Sequence, residues 1–393
     1  MLIFADWYLP GFKAGGPIRS IANMVEALGD DFHFKVITRD RDWLQATPYP
    51  ETVPGIWQPV GKAQVIYLTP QDLSSDVLSK VIRAADPEVL YFNSLFSPRF
   101  SILPLTLRRM GRINKVPVIL APRGELSPNA LALKRFKKRL SLAVTKSLGL
   151  YHDVIWQAST VYEAADIRRC FGNRIPVIVA ANVPAEIRVV NGQMSRREKV
   201  AGQLKIVFLS RISRMKNLDG ALTMLQGLKG ELQLNIYGPL EDKDQDYWAE
   251  CQRIISLLPP NIKVKYWGGV EYSQVAFIMR EHDLFFLPTL GENFGHVILD
   301  ALQSGCPVLI SDKTPWRDLE AKGVGWALPL SEPDRFRRVI EACIDMGPQE
   351  HARLSTAAVS FAREVAQDQS VIQQNRHLFE CALAKLPSAP IQD

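Results

Sequence analysis

The chain has 393 residues, 47 Lys and Arg against 41 Asp and Glu, 47% hydrophobic and 22% charged residues, and five cysteines. A domain takes roughly 100 to 200 residues, so two are expected, and a composition this balanced excludes disorder and fibres. No run of about 18 apolar residues occurs, which excludes a membrane-spanning helix.

Residues 1–10 reach Asp6 with no basic segment ahead of their apolar stretch, so they do not read as a secretory leader, and a cytoplasmic chain is expected. Cys170, Cys251, Cys306, Cys343 and Cys381 are odd in number, widely spaced and free of C-x-x-C pairs. That argues against a disulfide framework and a zinc site, and for reduced thiols. The net charge of +6 is uneven: residues 1–200 hold 27 basic and 17 acidic residues, and residues 101–150 alone hold 11 basic residues and one acid, Glu125.

Short apolar and β-branched runs alternate with helical patterns, the signature of βαβ units, so the fold class is α/β with mostly parallel sheets. Strands are predicted over 2–5, 34–38, 64–68, 89–92, 116–121, 154–158 and 177–180. A helix beginning at Pro17 puts Ile18, Ile21, Val25 and Leu28 on one face and ends before Gly29. From 186 to 203 the pattern lapses into a polar, Gly-containing stretch, the candidate linker. Strands resume over 204–209, 233–237, 263–267, 283–287 and 308–310, and the segment from about 355 to 386 reads as one helix with no strand to feed, suited to packing back across the domains. Two such domains on one linker leave a cleft at the carboxyl ends of both sheets, where open parallel sheets bind ligands.

Two constellations carry chemistry. The strand ending at Leu209 runs into a loop with Arg211 and Lys216, a planar fork and a mobile point charge suited to a diphosphate, or else simply a solvated basic loop. The strand ending at Leu287 runs into a turn containing Gly291, Glu292, Asn293, Phe294, Gly295 and His296, followed by a helix that stops at Gly305. A helix start of that kind is a ready anion site. Glu292 and Asp300 lie eight positions apart, a little over two helical turns, so both carboxylates can face one ligand, although on spacing alone such a pair is more often a solvated face. His296 stands beside the anion-binding turn.

The Arg-x4-Lys pair, ENFG, the E-x7-D spacing and GCPVLISD, together with YLPGFKAGGPIRSIANMVEAL at the start and PRGELSPNALALKRFKK further on, resemble glycosyltransferase family 4, in order over nearly the whole chain. The resemblance implies the GT-B fold: two facing Rossmann-like domains with a cleft between them. They comprise an acceptor domain over 1–190, a linker over 191–203, a donor domain over 204–360 and a carboxyl-terminal helix over 361–393 that crosses back. It implies transfer with retention from a nucleoside-diphosphate-sugar, with no cofactor or metal. Arg211 and Lys216 would hold the diphosphate, aided by the backbone N–H groups of Phe294, Gly295 and His296. Glu292 would bind the sugar, and Asp300, in place of the family's second Glu, the ribose. Gly15 and Gly16 would admit the donor close to the backbone, and Tyr237, Gly238, Trp267 and Gly268 would lie near the nucleotide. Asn93 stands where the family often has His, so the leaving phosphate rather than a histidine would take the acceptor proton. Arg123 belongs to the acceptor-side segment.

Asp40-Arg41-Asp42 is a D-x-D, read as a solvated loop rather than a metal motif. The six His have no metal-ligand spacing. Lys134, Arg135, Lys137, Lys138, Arg139 and Lys146, interleaved with apolar residues, make a cationic amphipathic segment. It fits either a core helix with a basic face or a surface helix on anionic lipid, with nucleic acid the weakest reading. The function expected is a retaining glycosyltransferase acting on a glycan acceptor, lipid-linked and part of surface polysaccharide assembly, peripheral to the cytoplasmic membrane. A sugar-nucleotide epimerase or phosphorylase on the same fold and a non-catalytic nucleotide-sugar binder stay open as alternatives.

Overall fold

The computed structural model describes residues 1–133, 135–185 and 197–384. The chain divides into two compact units, Met1–Val183 with the chain from Asp368 onward, and Pro184–Gln367. In chain order the first unit carries β1 (Leu2–Phe4), α1 (Gly16–Leu28), β2 (Phe34–Arg39), β3 (Trp57–Val60), β4 (Ala63–Leu68), α2 (Ser75–Ala85), β5 (Leu90–Phe92), α3 (Leu103–Arg109), β6 (Val118–Leu120), α4 (Pro128–Ala132), α5 (Arg135–Ser147), β7 (Val154–Ala158), α6 (Val161–Phe171) and β8 (Val177–Val179). The second carries β9 (Gln203–Leu209), α7 (Leu218–Leu225), β10 (Glu231–Tyr237), α8 (Gln245–Ser256), β11 (Ile262–Tyr266), α9 (Tyr272–Arg280), β12 (Leu284–Leu287), α10 (His296–Gln303), β13 (Val308–Ser311), β14 (Gly325–Leu328), α11 (Pro333–Asp345) and α12 (Pro348–Ala366). The chain then returns to the first unit as α13 (Gln369–Leu383).

Both sheets are parallel except at one edge. The first has the order β3-β4-β2-β1-β5-β6-β7-β8 and the second β11-β10-β9-β12-β13-β14, with only β3 antiparallel among the described strands. Strands buried on both faces explain the unbroken apolar runs, such as LYF in β5 and LFFL in β12, whose residues are all buried. In each sheet the strand order reverses beside the first strand, between β1 and β5 and between β9 and β12. The crevice at the carboxyl ends of such a pair is where open α/β sheets take ligands.

Two strands escaped the sequence reading. β3 contains Pro59, which has no N–H for a ladder and is tolerated because β3 is an edge. β14 starts at Gly325, whose added Cβ would lie 2.1 Å from the Val308 carbonyl oxygen. A glycine that reads as a breaker is there because two backbones touch.

The expected helix over 355–386 is two helices. α12 stays in the second unit, where Ala358 and Ala362 are fully buried. Asp368 then caps α13, accepting the Ser370 N–H at 2.9 Å. The crossing segment thus starts at 368 rather than 361. α13 packs in the first unit, where Phe379 meets the rings of Phe32, Phe34 and Tyr91, and Arg376 pairs with Asp31 at 2.5 Å. Of the expected linker, residues 191–196 lie outside the described residues, and Gln203 already belongs to β9.

The D-x-D is not a solvated loop. Asp40 and Asp42 are 1% and 7% exposed. Asp42 accepts the N–H groups of Phe12 at 2.8 Å and Lys13 at 3.1 Å, while Asp40 takes Arg41 in a fork. Tyr67 donates its hydroxyl to the Leu9 carbonyl at 2.6 Å, so the middle of the loop from β1 to α1 is tied down at Leu9 as well as at Phe12 and Lys13. Losing charged hydrogen bonds in a buried site costs on the order of 2 to 4 kcal/mol, so Asp42→Ala is expected to lower stability by about that much in urea unfolding. All five cysteines are free, four of them buried, and no helix among the described residues is long and apolar enough to cross a membrane.

Candidate functional site

The second unit builds its site at the β9/β12 reversal. After β9, a single tight turn over Arg214–Lys216 leads into α7 through Asn217, which adopts a left-handed conformation with φ 56. Asn217 donates to the Pro288 carbonyl at 2.8 Å, and the Met215 carbonyl accepts from the Leu290 N–H at 2.8 Å and the Thr289 hydroxyl at 3.0 Å. The loops after β9 and β12 are therefore stitched together. A third strand end joins them, because the Glu292 N–H donates to the Lys313 carbonyl beyond β13 at 2.9 Å.

On this frame Lys216, only 9% exposed, donates to the Glu292 carboxylate. Two residues 76 positions apart form a largely buried ion pair at the carboxyl end of the sheet. Arg211 stands exposed on the same loop. The chain then turns through Gly295, left-handed at φ 80, into α10. A Cβ there would come within 2.7 Å of Ile298 Cδ1. Trp316 Nε1 donates to the Phe294 carbonyl at 2.6 Å, the Phe294 and His296 rings lie 4.6 Å apart, and Asn293 precedes them in the turn. The Ile298 and Leu299 N–H groups turn back to the Gly295 carbonyl at 2.8 and 3.4 Å, and the positive dipole end of α10 follows Glu292 by four positions in the chain.

Glu292 and Asp300 do not stand on one helix: α10 begins at His296, so the segment from Glu292 to Asp300 is a turn followed by one helical turn. The residue sharing a face with Asp300 is His296, four positions earlier. Asp300 accepts from the Tyr272 hydroxyl at 2.9 Å, a partner on α9 that no sequence motif marks.

The aromatic residues after β10 and β11 form a second group. Tyr237 and Trp267 are stacked, with ring centroids 6.0 Å apart and 6° between planes. The Trp267 indole N–H donates to Asn235 Oδ1 at 3.0 Å, Asn235 Nδ2 meets His282 Nε2 at 2.8 Å, and His282 Nδ1 lies 2.6 Å from the Ile278 carbonyl. This fixes the tautomer: Nδ1–H donates and Nε2 accepts. Lys265 lies over the Trp267 ring at 3.5 Å. Gly238, at φ 143, lies against the loop after β9, and its N–H donates to the Gly268 carbonyl at 2.7 Å.

Burial lowers the His282 pKa from 6.5 to about 4. Between these values the unfolded chain takes up a proton that the folded site refuses, so stability falls as pH drops from 6.5 towards 4, by about 3 kcal/mol. His282→Gln is expected to flatten that part of the stability-against-pH curve, measured by urea unfolding.

The first unit gathers its site residues at the β1/β5 reversal. Gly15 has φ 71 and an added Cβ would meet nothing within 4 Å, so its backbone angle rather than crowding within the protein calls for glycine. Gly16 opens α1 and is exposed. Asn93, after β5, donates to the Pro17 carbonyl at 3.3 Å and accepts from Arg123 Nε at 2.7 Å. Arg123, left-handed at φ 54, also donates to Asn182 and to the Tyr91 hydroxyl at 2.5 Å. The Tyr91 hydroxyl donates to Gln157 Oε1 at 2.6 Å, and Gln157 Nε2 donates to Asn375 Oδ1 of α13 at 3.3 Å. Among the described residues the side chains that accept from Arg123 are all neutral. Tyr91, Gln157, Asn182 and Asn375 were missed because neutral polar residues inside or beside apolar strands carry no motif. Of the basic window, Arg135 and Lys137 are exposed, Lys138 turns inward to the Ala130 carbonyl at 2.7 Å, and Lys134 lies outside the described residues. Among the described residues no group of three or more His, Cys, Asp or Glu is placed to hold a metal ion.

Residues 192–360 match the family of glycosyl transferases group 1. The match covers the loops after β9 and β12 with Lys216, Glu292 and α10. A putative glycosyltransferase of Bacillus subtilis (strain 168), EpsF, is 29% identical over 161 residues, 38% of this chain and 40% of that protein. The chain thus matches well under half the length of this curated relative. Among solved structures, HepE of Anabaena in complex with UDP and glucose aligns with a TM-score of 0.73 at 19% identity, covering 98% of this chain and 99% of that one. The sucrose-phosphate synthase of Thermosynechococcus elongatus aligns with a TM-score of 0.70 at 15% identity, covering 98% of each. WaaG, a glycosyltransferase involved in lipopolysaccharide biosynthesis, aligns with a TM-score of 0.63 at 14% identity, covering 99% of this chain and 100% of that one. At these identities the likeness shows the fold, two mostly parallel Rossmann-like sheets like those of the GT-B glycosyltransferases.

Proposed function

We propose that the protein is a retaining glycosyltransferase that moves a sugar from a nucleoside-diphosphate-sugar to a hydroxyl of a glycan acceptor in surface polysaccharide assembly. The observation that carries this reading is the Lys216–Glu292 pair beside the start of α10. A diphosphate leaving group gains charge as its bond to the sugar breaks. Lys216 and Arg211 are the donors suited to meet that charge, with the positive dipole end of α10. Glu292 is an acceptor for sugar hydroxyls, and the Asp300 carboxylate, oriented by Tyr272, for a ribose diol.

The transfer needs no protein base, since the departing phosphate oxygen can take the acceptor proton on the same face as the new bond forms. That accounts for Asn93, which joins Arg123 to α1 and has no basic nitrogen. The first unit is proposed to take the acceptor through the polar group around Arg123, and no metal or cofactor enters the step.

The test incubates the protein with UDP-, GDP- and ADP-linked sugars and a set of glycan acceptors, with products read by mass spectrometry and NMR. Sugar on an acceptor hydroxyl, with its anomeric configuration kept, is the expected result. An isomerised sugar nucleotide would convert the reading to an epimerase, and tight donor binding without turnover would reduce it to a binding protein.

A further inference from the structure

The loops after β1 and β2 bring two indoles together. Trp7 and Trp43 are both partly exposed, with ring centroids 6.2 Å apart and 63° between planes. Arg39, at the end of β2, lies over the Trp7 ring at 5.8 Å and over Phe100 at 5.1 Å, and its Nη2 donates to Asp6 Oδ1 at 3.2 Å. Among the described residues neither side chain makes another hydrogen bond, which leaves Asp6 Oδ2 and Arg39 Nη1 unspent. The side chains of Arg39 and Asp6 are 27% and 16% exposed, and as a pair they carry no net charge.

This corner is held in place before any ligand arrives. One carboxylate joins its two loops: Asp42 Oδ1 accepts the Trp43 N–H at 2.7 Å, and Oδ2 accepts the Phe12 and Lys13 N–H groups at 2.8 and 3.1 Å. Leu44, next to Trp43, is left-handed at φ 62 and 50% exposed. A leucine is strained in that region, and an exposed one gains little burial in return, so the turn is shaped for what it presents.

The chemistry selects the occupant. A phosphate or an acidic sugar wants net positive charge, and Asp6 cancels Arg39. A hard cation wants more oxygen ligands than one carboxylate. A flat nucleobase suits a slot between parallel rings, whereas these rings form an angle. An uncharged pyranose answers each feature: its C–H groups carry the partial positive charge that an indole face attracts, and its hydroxyls can donate to Asp6 and accept from Arg39.

We propose that Asp6, Trp7, Arg39 and Trp43 form a subsite for an uncharged sugar ring of the acceptor glycan. This rests on the transfer reaction proposed above and narrows its acceptor to one that presents a neutral sugar to the loops after β1 and β2.

The experiment probes an array of neutral and uronic-acid glycans with the labelled full chain, with no donor present. Binding to neutral glycans is expected. Trp7→Ala and Trp43→Ala should each weaken it by at least about tenfold, the scale of losing one aromatic contact. Trp43→Tyr, which keeps a ring, should bind nearly as wild type, and Trp43→Leu, which keeps only apolar bulk, should not. That comparison holds even where alanine disturbs the fold. In transfer assays the alanine variants should raise the acceptor KM and leave the donor KM unchanged, a split that general loss of fold does not give. Binding to no neutral glycan, equal binding by Trp43→Tyr and Trp43→Leu, or stronger binding of uronic-acid glycans would each overturn the subsite. Competition by UMP that Trp43→Leu abolishes would do so too, and assign the rings to a nucleobase. Glycan binding without transfer from any sugar nucleotide would sink the transfer reaction and leave the subsite standing, whereas transfer with an acceptor KM that the alanine variants do not move would do the reverse.

Discussion

Lys216→Ala is expected to lower turnover by about 100-fold or more, the scale of losing one charged contact to a leaving group, with Glu292→Ala in the same range. Because the two side chains pair in a largely buried place, either single change also strands a charge and costs stability. The double variant separates the two effects. With both partners gone no charge is left behind, so the thermal midpoint should recover towards wild type while turnover stays low. A pair that served the fold alone would regain activity along with stability. Near-normal rates in both single variants would remove the site altogether.

That pair also shows where sequence reading stops. The placing of Arg211, Lys216, Glu292 and the start of α10 after strand ends was legible because each follows an apolar run that can only be a buried strand. Their pairing was not, because 76 positions separate Lys216 from Glu292 and only the sheet order places β9 beside β12. The same limit hid Tyr272, which reaches Asp300 from another helix. It also hid the chain from Trp267 through Asn235 to His282, in which each residue alone reads as an ordinary polar position.

Periodicity identified α5 as amphipathic but left open whether its apolar residues are buried or face out; in the structure Phe136 and Leu140 face outward and Lys138 packs inward. Strand prediction failed only where local chemistry contradicts the ladder, at Pro59 on the sheet edge and Gly325 under the Val308 backbone. The D-x-D was misjudged for the opposite reason. Charge suggested solvent, and Asp42 is instead the acceptor that holds the β1 to α1 loop.

Gly238→Ala should be the most damaging small substitution in the second unit. Its φ of 143 is one that L-residues rarely adopt, and a Cβ would lie 1.8 Å from the Ser210 carbonyl oxygen and 2.5 Å from its carbonyl carbon. Neither atom can give way locally. Ser210 N–H is tied to the Tyr237 carbonyl at 3.0 Å, and Gly238 N–H to the Gly268 carbonyl at 2.7 Å. The overlap must therefore be relieved by moving the loop that begins at Ser210 and carries Arg211 and Lys216. A cost of about 3 kcal/mol or more is expected from strain and overpacking together. If Arg211 and Lys216 meet the diphosphate as proposed, displacing them by even about 1 Å would lower turnover by roughly 100-fold. Gly323→Ala is the control, since Gly323 is also left-handed at φ 64 but has nothing within 4 Å of an added Cβ. It should lose only about 1 kcal/mol and keep its rate. Urea unfolding and turnover measured on both variants decide the matter. If Gly238→Ala behaves like Gly323→Ala in both, the contact with Ser210 does not hold the loop, and the placement of Arg211 and Lys216 must come from the stitching to β12 alone.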